Sequence, residues 1–113
     1  MKVLVFNKNE KTRMVVGQLL KELSFNVILA ENEEQLLDAL KTESLDISFL
    51  DISSIEDFPL AIERILRYKR QSYILMAIEP DDRYAKTEAL LKGIDDYVYN
   101  DFRLEELSAK FRA

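Results

Sequence analysis

The sequence predicts one α/β domain over residues 1–113, with helices on both faces of a parallel sheet. Three observations support this fold class. Short apolar runs alternate with helical patterns along the whole chain, and no repeat or Pro/Gly/Ser-rich linker interrupts them. The runs are rich in β-branched and aliphatic residues, as in strands buried on both faces. One run, residues 46–51, ends on the carboxylate of Asp51 at the sheet edge where ligands gather.

The first half of the chain predicts three strands and two helices. Strands are expected at residues 3–6 and 26–30, and a third ends at Asp51. A helix over about 10–24 contains Gly17, which costs roughly 1 kcal/mol against alanine unless it permits close packing. Asn32 and Gln35 resemble a capping box that opens the second helix. The side chains expected to face the core are Val15, Val16, Leu19, Leu20 and Leu23 in the first helix and Leu36, Leu37 and Leu40 in the second.

The second half predicts two more strands and three helices. After a turn at 52–58, Pro59 suits the first position of a helix. Strands follow at 73–78 and 97–99, and the helix between them opens at residues 80–82 and closes at Gly93. The side chains expected to be buried in the flanking helices are Ala61, Ile62, Ile65, Leu66, Leu104, Leu107 and Phe111. Right-handed crossovers then give a three-layer doubly wound (βα)5 sandwich with strand order 2-1-3-4-5.

This strand order places one crevice between the first and third strands. The loops that follow these strands face each other there, so we expect Asn7, Lys8 and Asp51 to lie together. The alternative is that Asp51 only starts a turn or caps the next helix.

Composition narrows the range of functions. The chain has no cysteine or histidine, which removes disulfides, thiolate nucleophiles, histidine bases and the usual zinc sites. Its net charge of -5 does not attract a phosphate backbone, so we expect no nucleic-acid binding by this domain itself. No apolar run approaches the roughly 20 residues that span a bilayer. A cytoplasmic protein without membrane contact is the expectation.

Three stretches carry a resemblance to a known family: residues 2–8, 45–52 and 93–102. The third is the most specific, because it contains Gly-x-Asp-Asp-Tyr at 93–97 and then Phe102. The whole chain resembles the receiver domain of two-component response regulators, which implies a flavodoxin-like fold. The resemblance also implies that Asp51 is the phosphoacceptor equivalent and that Tyr97 is the switch aromatic.

The remaining site positions depart from the family pattern. The acidic pair that holds Mg²⁺ in the family is Asn7 and Lys8 here, the Thr or Ser is Ile78, and the Lys is Asn100. An amide and an ammonium are poor ligands for Mg²⁺, so we expect no metal and no cofactor. Phosphoryl transfer depends on such charge neutralisation.

Two further expectations concern these substituted residues. Ile78 would fill the space into which Tyr97 moves in the family. Lys8 could pair with Asp51 and supply permanent charge neutralisation in place of the metal. The alternative is that Lys8 is solvated and that Asp51 satisfies only nearby backbone N–H groups, since exposed ion pairs contribute only about 0 to 1 kcal/mol.

A second group of residues implies a homodimer. In the family branch whose effector is a winged-helix DNA-binding domain, the face formed by helix four, strand five and helix five dimerises through ion pairs around an apolar patch. Lys86 and Glu106 match one pair. The remaining matches are Asp95 and Asp96 on the acidic side, Lys110 on the basic side and Leu90 in the patch. The alternative is that these charges are solvated, with Glu106 and Lys110 as an ordinary i, i+4 pair.

Three functions remain open. The favoured hypothesis is a non-enzymatic pseudo-receiver: a phosphorylation-independent dimerisation module at the N-terminus of an orphan transcriptional regulator, with its partner protein unknown and DNA binding left to a second domain. The second is a receiver that accepts phosphate on Asp51 from a histidine kinase or a small phosphodonor. The third, a flavin- or nucleotide-binding module, lacks a Gly-rich phosphate loop, because the chain has only two glycines.

Overall fold

The computed structural model describes residues 1–69 and 71–113. These form a parallel sheet with helices packed on both faces. The strands are β1 (Lys2–Phe6), β2 (Asn26–Ala30), β3 (Ile47–Asp51), β4 (Tyr73–Ile78) and β5 (Asp96–Tyr99). The helices are α1 (Glu10–Glu22), α2 (Glu33–Thr42), α3 (Phe58–Tyr68), α4 (Arg83–Lys92) and α5 (Leu104–Arg112), with a 3₁₀ turn at Ile52–Ser54.

The predicted sheet topology is confirmed. The strand order is β2-β1-β3-β4-β5, and each neighbouring pair is parallel. One apolar layer fills the face covered by α2, α3 and α4, and a second fills the face covered by α1 and α5. Among the described residues, no helix combines the length and apolar character needed to cross a membrane.

Helices α1 to α4 begin at residues with the expected capping chemistry, and α4 also ends at one. The side chains of Asn9, Asn32, Asp57 and Asp82 each accept a backbone N–H in the first turn of α1, α2, α3 and α4, respectively. At the end of α4, Gly93 adopts φ 105°, a left-handed conformation that glycine reaches without a steric cost. Pro59 lies in the first turn of α3, where a missing N–H costs nothing.

Gly17 permits close packing of α1 against β2. A Cβ atom at this position would lie 3.0 Å from Leu29 Cδ2. The glycine therefore lets α1 approach β2 closely, which offsets its unfavourable helix propensity.

Two predicted core positions are wrong. Val15 and Leu104 are each 41% exposed. In α1 the buried stripe instead contains Arg13, Val16, Gly17 and Leu20, so a charged side chain occupies a position that hydrophobic periodicity would not assign to it.

Candidate functional site

The carboxyl edge of the sheet forms a crevice of about 160 Å³. Asn7 follows β1, Asp51 ends β3, and both line this crevice as the strand order predicts. Arg13, Ser53 and Asn100 also line it. The switch point therefore gathers a carboxylate, two amides, a hydroxyl and a guanidinium.

The Asp51 carboxylate is held by two hydroxyl groups. Its Oδ2 accepts a hydrogen bond from Ser53 Oγ at 2.9 Å and another from Ser54 Oγ at 2.6 Å. Asp51 and Ser54 are both buried, at 8% and 5% exposure. Within the described residues Asp51 makes no side-chain cap to the following turn, so capping does not explain its position.

The predicted ion pair between Lys8 and Asp51 is wrong. Lys8 Nζ lies 3.8 Å from Glu56 Oε1, while Asp51 bonds to the serine hydroxyls. The backbone of Lys8, rather than its ammonium, faces the site, because its N–H donates to Ser54 Oγ at 2.9 Å. Both members of the Lys8–Glu56 pair have exposed side chains, so this pair contributes only about 0 to 1 kcal/mol.

Arg13 is a site residue that sequence reasoning missed. It is only 7% exposed, and its Nη1 donates to the carbonyl oxygen of Asn7 at 2.8 Å. Its Nη2 lies 3.5 Å from Glu31 Oε2. Its spacing in the sequence could have revealed its position: Arg13 lies three residues before Val16 and seven before Leu20, so the three side chains share one helix face. Arg13 therefore places a buried cation in the crevice.

The crevice residues do not fit the Mg²⁺ ion that the family resemblance implies. The Asn7 side chain presents a neutral amide oxygen, which already accepts the N–H of Asn9 at 2.9 Å. Arg13 brings a positive charge to the same crevice, and Oδ2 of Asp51 is occupied by two hydroxyls. No group of three or more His, Cys, Asp or Glu residues in 1–69 and 71–113 is arranged to hold a metal. Mg²⁺ prefers carboxylate oxygens in octahedral geometry.

Ile78 is the last residue of β4, and Asn100 directly follows β5. Ile78 is fully buried in the apolar layer on the face covered by α4. Tyr97 packs against this same layer. Ala77, one residue earlier, lines the crevice instead. Asn100 lines the crevice, and its N–H donates to the carbonyl of Ile78 at 2.7 Å. No donor hydroxyl comes from β4 at this point.

Tyr97 is paired with α4. Lys86 Nζ lies 4.3 Å from the centroid of the Tyr97 ring, a cation–π distance. Hydrogen bonding with the Lys86 ammonium lowers the pKa of the Tyr97 phenol, and the same interaction raises the pKa of Lys86. The Tyr99 ring packs edge-on against Tyr97 with centroids 5.7 Å apart. This arrangement fixes the predicted switch aromatic from two sides.

Several residues of the predicted dimer face make contacts inside the protomer. Asp96 Oδ1 accepts the N–H of Tyr97 at 2.8 Å, and its Oδ2 pairs with Lys110 Nζ at 2.9 Å. Asp95 accepts the N–H of Ile74 at 2.7 Å and lies 3.4 Å from Lys69 Nζ. Asp95 therefore helps to hold the loop before β5 against β4, in addition to its predicted place on the dimer face.

The other residues of this face are more accessible. Leu90 is 43% exposed, and Glu106 is exposed on α5. Within residues 1–69 and 71–113, neither Lys86 nor Glu106 forms an ion pair. These two side chains are therefore the members of the predicted interface whose charges are not matched inside the described chain.

Comparisons with known proteins agree with this fold. The family model described as "Response regulator receiver domain" matches residues 3–112. Transcriptional regulatory protein CpxR of Escherichia coli K12 is 30% identical over 112 residues, covering 99% of this chain and 48% of CpxR. Sensory transduction protein LytR of Staphylococcus haemolyticus is 34% identical, covering 95% of this chain and 42% of LytR. The chain thus spans about half the length of these curated relatives.

Solved structures show the same architecture. A two-component response regulator from Clostridium difficile superposes with a TM-score of 0.88 at 23% identity, covering 99% of this chain and 93% of that one. A response regulator from Thermotoga maritima superposes with a TM-score of 0.80 at 27% identity, covering 98% and 93%. The match of the family model across nearly the whole chain, together with this sheet order, shows that the chain belongs to the response regulator receiver domains of two-component signalling.

Proposed function

We propose that this receiver domain acts as a pseudo-receiver: a non-enzymatic module that signals without phosphorylation and without a bound metal. The observation that carries the proposal is the state of the acceptor position. The Asp51 carboxylate is bound by the hydroxyls of Ser53 and Ser54, and the positions that would hold a metal are Asn7 and Lys8. A phosphoryl group arriving here meets no acidic pair that could hold a metal to neutralise its charge, and the Arg13 guanidinium in the crevice is already bound to the Asn7 carbonyl and paired with Glu31.

The output we propose is homodimerisation through α4, β5 and α5. Lys86 and Glu106 support this proposal best, because both carry charges that are unmatched within the described residues. In an isologous dimer each residue would meet its complement on the other protomer, beside the exposed Leu90. Asp96 and Lys110 already pair with each other at 2.9 Å, so their charges are partly matched before any partner arrives.

At the level of the whole protein, we propose a cytoplasmic transcriptional regulator in which a further domain binds DNA. Several relatives are named as transcriptional regulatory proteins, and this chain covers about half of their length. Residues 1–113 would then be the N-terminal receiver unit. The net charge of -5 supports assigning DNA contact to another part of that protein.

A second candidate function is phosphate acceptance on Asp51. The observation in its favour is that Asp51 lines an open crevice together with Ser53 and Asn100, so a small phosphodonor can reach its carboxylate. This candidate predicts a labile acyl phosphate on Asp51.

Incubation with Mg²⁺ and acetyl phosphate or beryllofluoride separates the two functions. We expect the intact mass of the wild-type domain to stay unchanged with acetyl phosphate. We also expect titration with Mg²⁺ and beryllofluoride to leave its amide spectrum unchanged. The matched variant Asn7→Asp/Lys8→Asp places carboxylates at the two positions that hold Mg²⁺ in the family and should bind Mg²⁺ more tightly. Stoichiometric modification of the wild-type chain that disappears in Asp51→Asn would establish the second function instead.

A further inference from the structure

Ser54 connects two loops beneath the surface of the crevice, where it is only 5% exposed. The N–H of Lys8, in the loop after β1, donates to Ser54 Oγ at 2.9 Å. Ser54 Oγ donates in turn to Asp51 Oδ2 at 2.6 Å, and this second bond is fully buried. The three residues form a continuous chain of hydrogen bonds from the β1 loop through the 3₁₀ turn to the end of β3.

The direction of this hydrogen-bond chain is fixed by chemistry. A backbone N–H can only donate and an ionised carboxylate can only accept, so the serine hydroxyl must accept from Lys8 and donate to Asp51. Hydrogen bonds linked in this way strengthen one another in a site of low dielectric constant. The Ser54 hydroxyl performs both tasks at once, so alanine at position 54 breaks both contacts together.

Ser53 shows that the bridging role belongs to Ser54 alone. Ser53 Oγ also donates to Asp51 Oδ2, at 2.9 Å, but its side chain is exposed. The N–H of Lys8 bonds to Ser54 and leaves Ser53 outside the chain of contacts. The two serines are therefore matched in their contact with Asp51 and differ in their contact with the β1 loop.

We propose that Ser54 is a permanent latch that holds the β1 loop against the acceptor carboxylate and so keeps the site in one arrangement. This inference rests on the pseudo-receiver function proposed above and names the contact that replaces regulation by phosphate. A cation or phosphoryl group that binds Asp51 Oδ2 would have to compete with both serine hydroxyls for this oxygen. The latch thus stabilises the loops and occupies one of the two carboxylate oxygens of Asp51.

Amide hydrogen exchange followed by NMR tests the latch directly. In Ser54→Ala we expect the Lys8 amide to exchange about tenfold faster than in the wild type, since a hydrogen bond to a polarised hydroxyl is lost. In Ser53→Ala the Lys8 amide should exchange at the wild-type rate. The amide of Thr12, capped by Asn9 in the same region, serves as an internal reference in each sample. Equal Lys8 exchange in Ser54→Ala and the wild type would overturn the proposal.

A second variant keeps the test informative if Ser54→Ala unfolds. Asp51→Ala removes the acceptor at the far end but leaves Ser54 Oγ in place, so Lys8 exchange should accelerate by a smaller factor. No acceleration in Asp51→Ala would contradict a connected chain of hydrogen bonds.

The failure of the latch and the failure of the proposed function give different results. If wild-type Asp51 is phosphorylated while Lys8 exchange still separates the two serine variants, the pseudo-receiver function fails and the latch stands. If Asp51 stays unmodified while both serine variants exchange alike, the latch fails and the pseudo-receiver function stands.

Discussion

Lys86 of α4 lies over the ring of Tyr97 in β5, with its ammonium 4.3 Å from the ring centroid. Hydrogen bonding with Lys86 lowers the pKa of Tyr97 from its ordinary value of 10.0. We expect an ultraviolet titration of phenolate absorbance to show an early step in which Tyr97 ionises below this ordinary value. Tyr97→Phe should remove this early step, and Lys86→Gln should move it to higher pH.

The lowered pKa of Tyr97 also determines how folding stability changes with pH. Tyr97 ionises more readily in the folded chain, so its ionisation favours folding above its unfolded pKa, and the contribution is lost as pH falls through the lowered folded pKa. Tyr73 behaves oppositely, because burial and then the charge of Asp96 raise its pKa. Its ionisation opposes folding as pH rises above 10.0, the ordinary value. Tyr97→Phe should remove an early step from the ultraviolet titration, and Tyr73→Phe should remove a late one. If neither substitution changes the titration, the pKa directions assigned to these two tyrosines are wrong.

Charge reversal on α5 should weaken the proposed dimer. Glu106→Lys places a like charge opposite Lys86 of the other protomer and should raise the dissociation constant measured by sedimentation equilibrium. Adding Lys86→Glu should restore the wild-type value. Each exposed pair contributes only about 0 to 1 kcal/mol, so the expected shift for one reversal is a fewfold change.

Glu105→Lys is the matched control for this experiment. Glu105 is the exposed neighbour of Glu106 on the same helix, but it borders a shallow cavity toward Leu19 of α1. The same charge change at this position should leave the dissociation constant unchanged. A wild-type domain that stays monomeric, or a dimer equally sensitive to Glu105→Lys, would contradict this interface.

Loss of the buried Arg13 should destabilise the domain more than loss of its exposed partner. Arg13→Met removes the charged donor of the partly buried Asn7 carbonyl, and a hydrogen bond from a charged group contributes about 1.5 to 3 kcal/mol. Glu31→Gln removes only a pair with a side chain that is 56% exposed, and should cost about 0 to 1 kcal/mol. Urea unfolding of both variants measures the difference, and equal midpoints would argue against a structural role for the guanidinium.

Overfilling the contact between α1 and β2 should also destabilise the fold. Gly17→Val forces a branched side chain against Leu29 and should lower the free energy of unfolding by about 1 to 3 kcal/mol. Leu29→Ala opens space at this point, so the double variant should be more stable than the sum of the two single effects implies. Additive effects would show that the two residues do not share this space.

The fold was predictable because its signals are local and periodic. Strands β2 and β4 have the bounds expected from the sequence, and Gly93 ends α4 as predicted. Hydrophobic periodicity predicted a buried Val15, but this residue is 41% exposed. The buried face of α1 includes Arg13 instead, because the Asn7 carbonyl accepts a hydrogen bond from its guanidinium.

The site was only partly predictable. Strand order correctly placed Asn7 and Asp51 at one crevice, because that order fixes which loops meet. It could not determine side-chain partners within those loops. Lys8 had Glu56 as a competing carboxylate, and Asp51 had two adjacent serine hydroxyls as competing donors. Local competition of this kind depends on loop geometry that periodicity does not encode.

The contact between Asp96 and the Tyr97 amide bears on how this domain can assemble. β5 is the last strand of the sheet, and an uncovered edge strand invites another strand to pair with it. Here a carboxylate already occupies one of its amides at 2.8 Å, while Lys110 holds that carboxylate in place. If the sheet extended into a second copy through β5, the Asp96 carboxylate would have to release the Tyr97 amide. The contact therefore favours partners that meet through side chains and disfavours open-ended fibres.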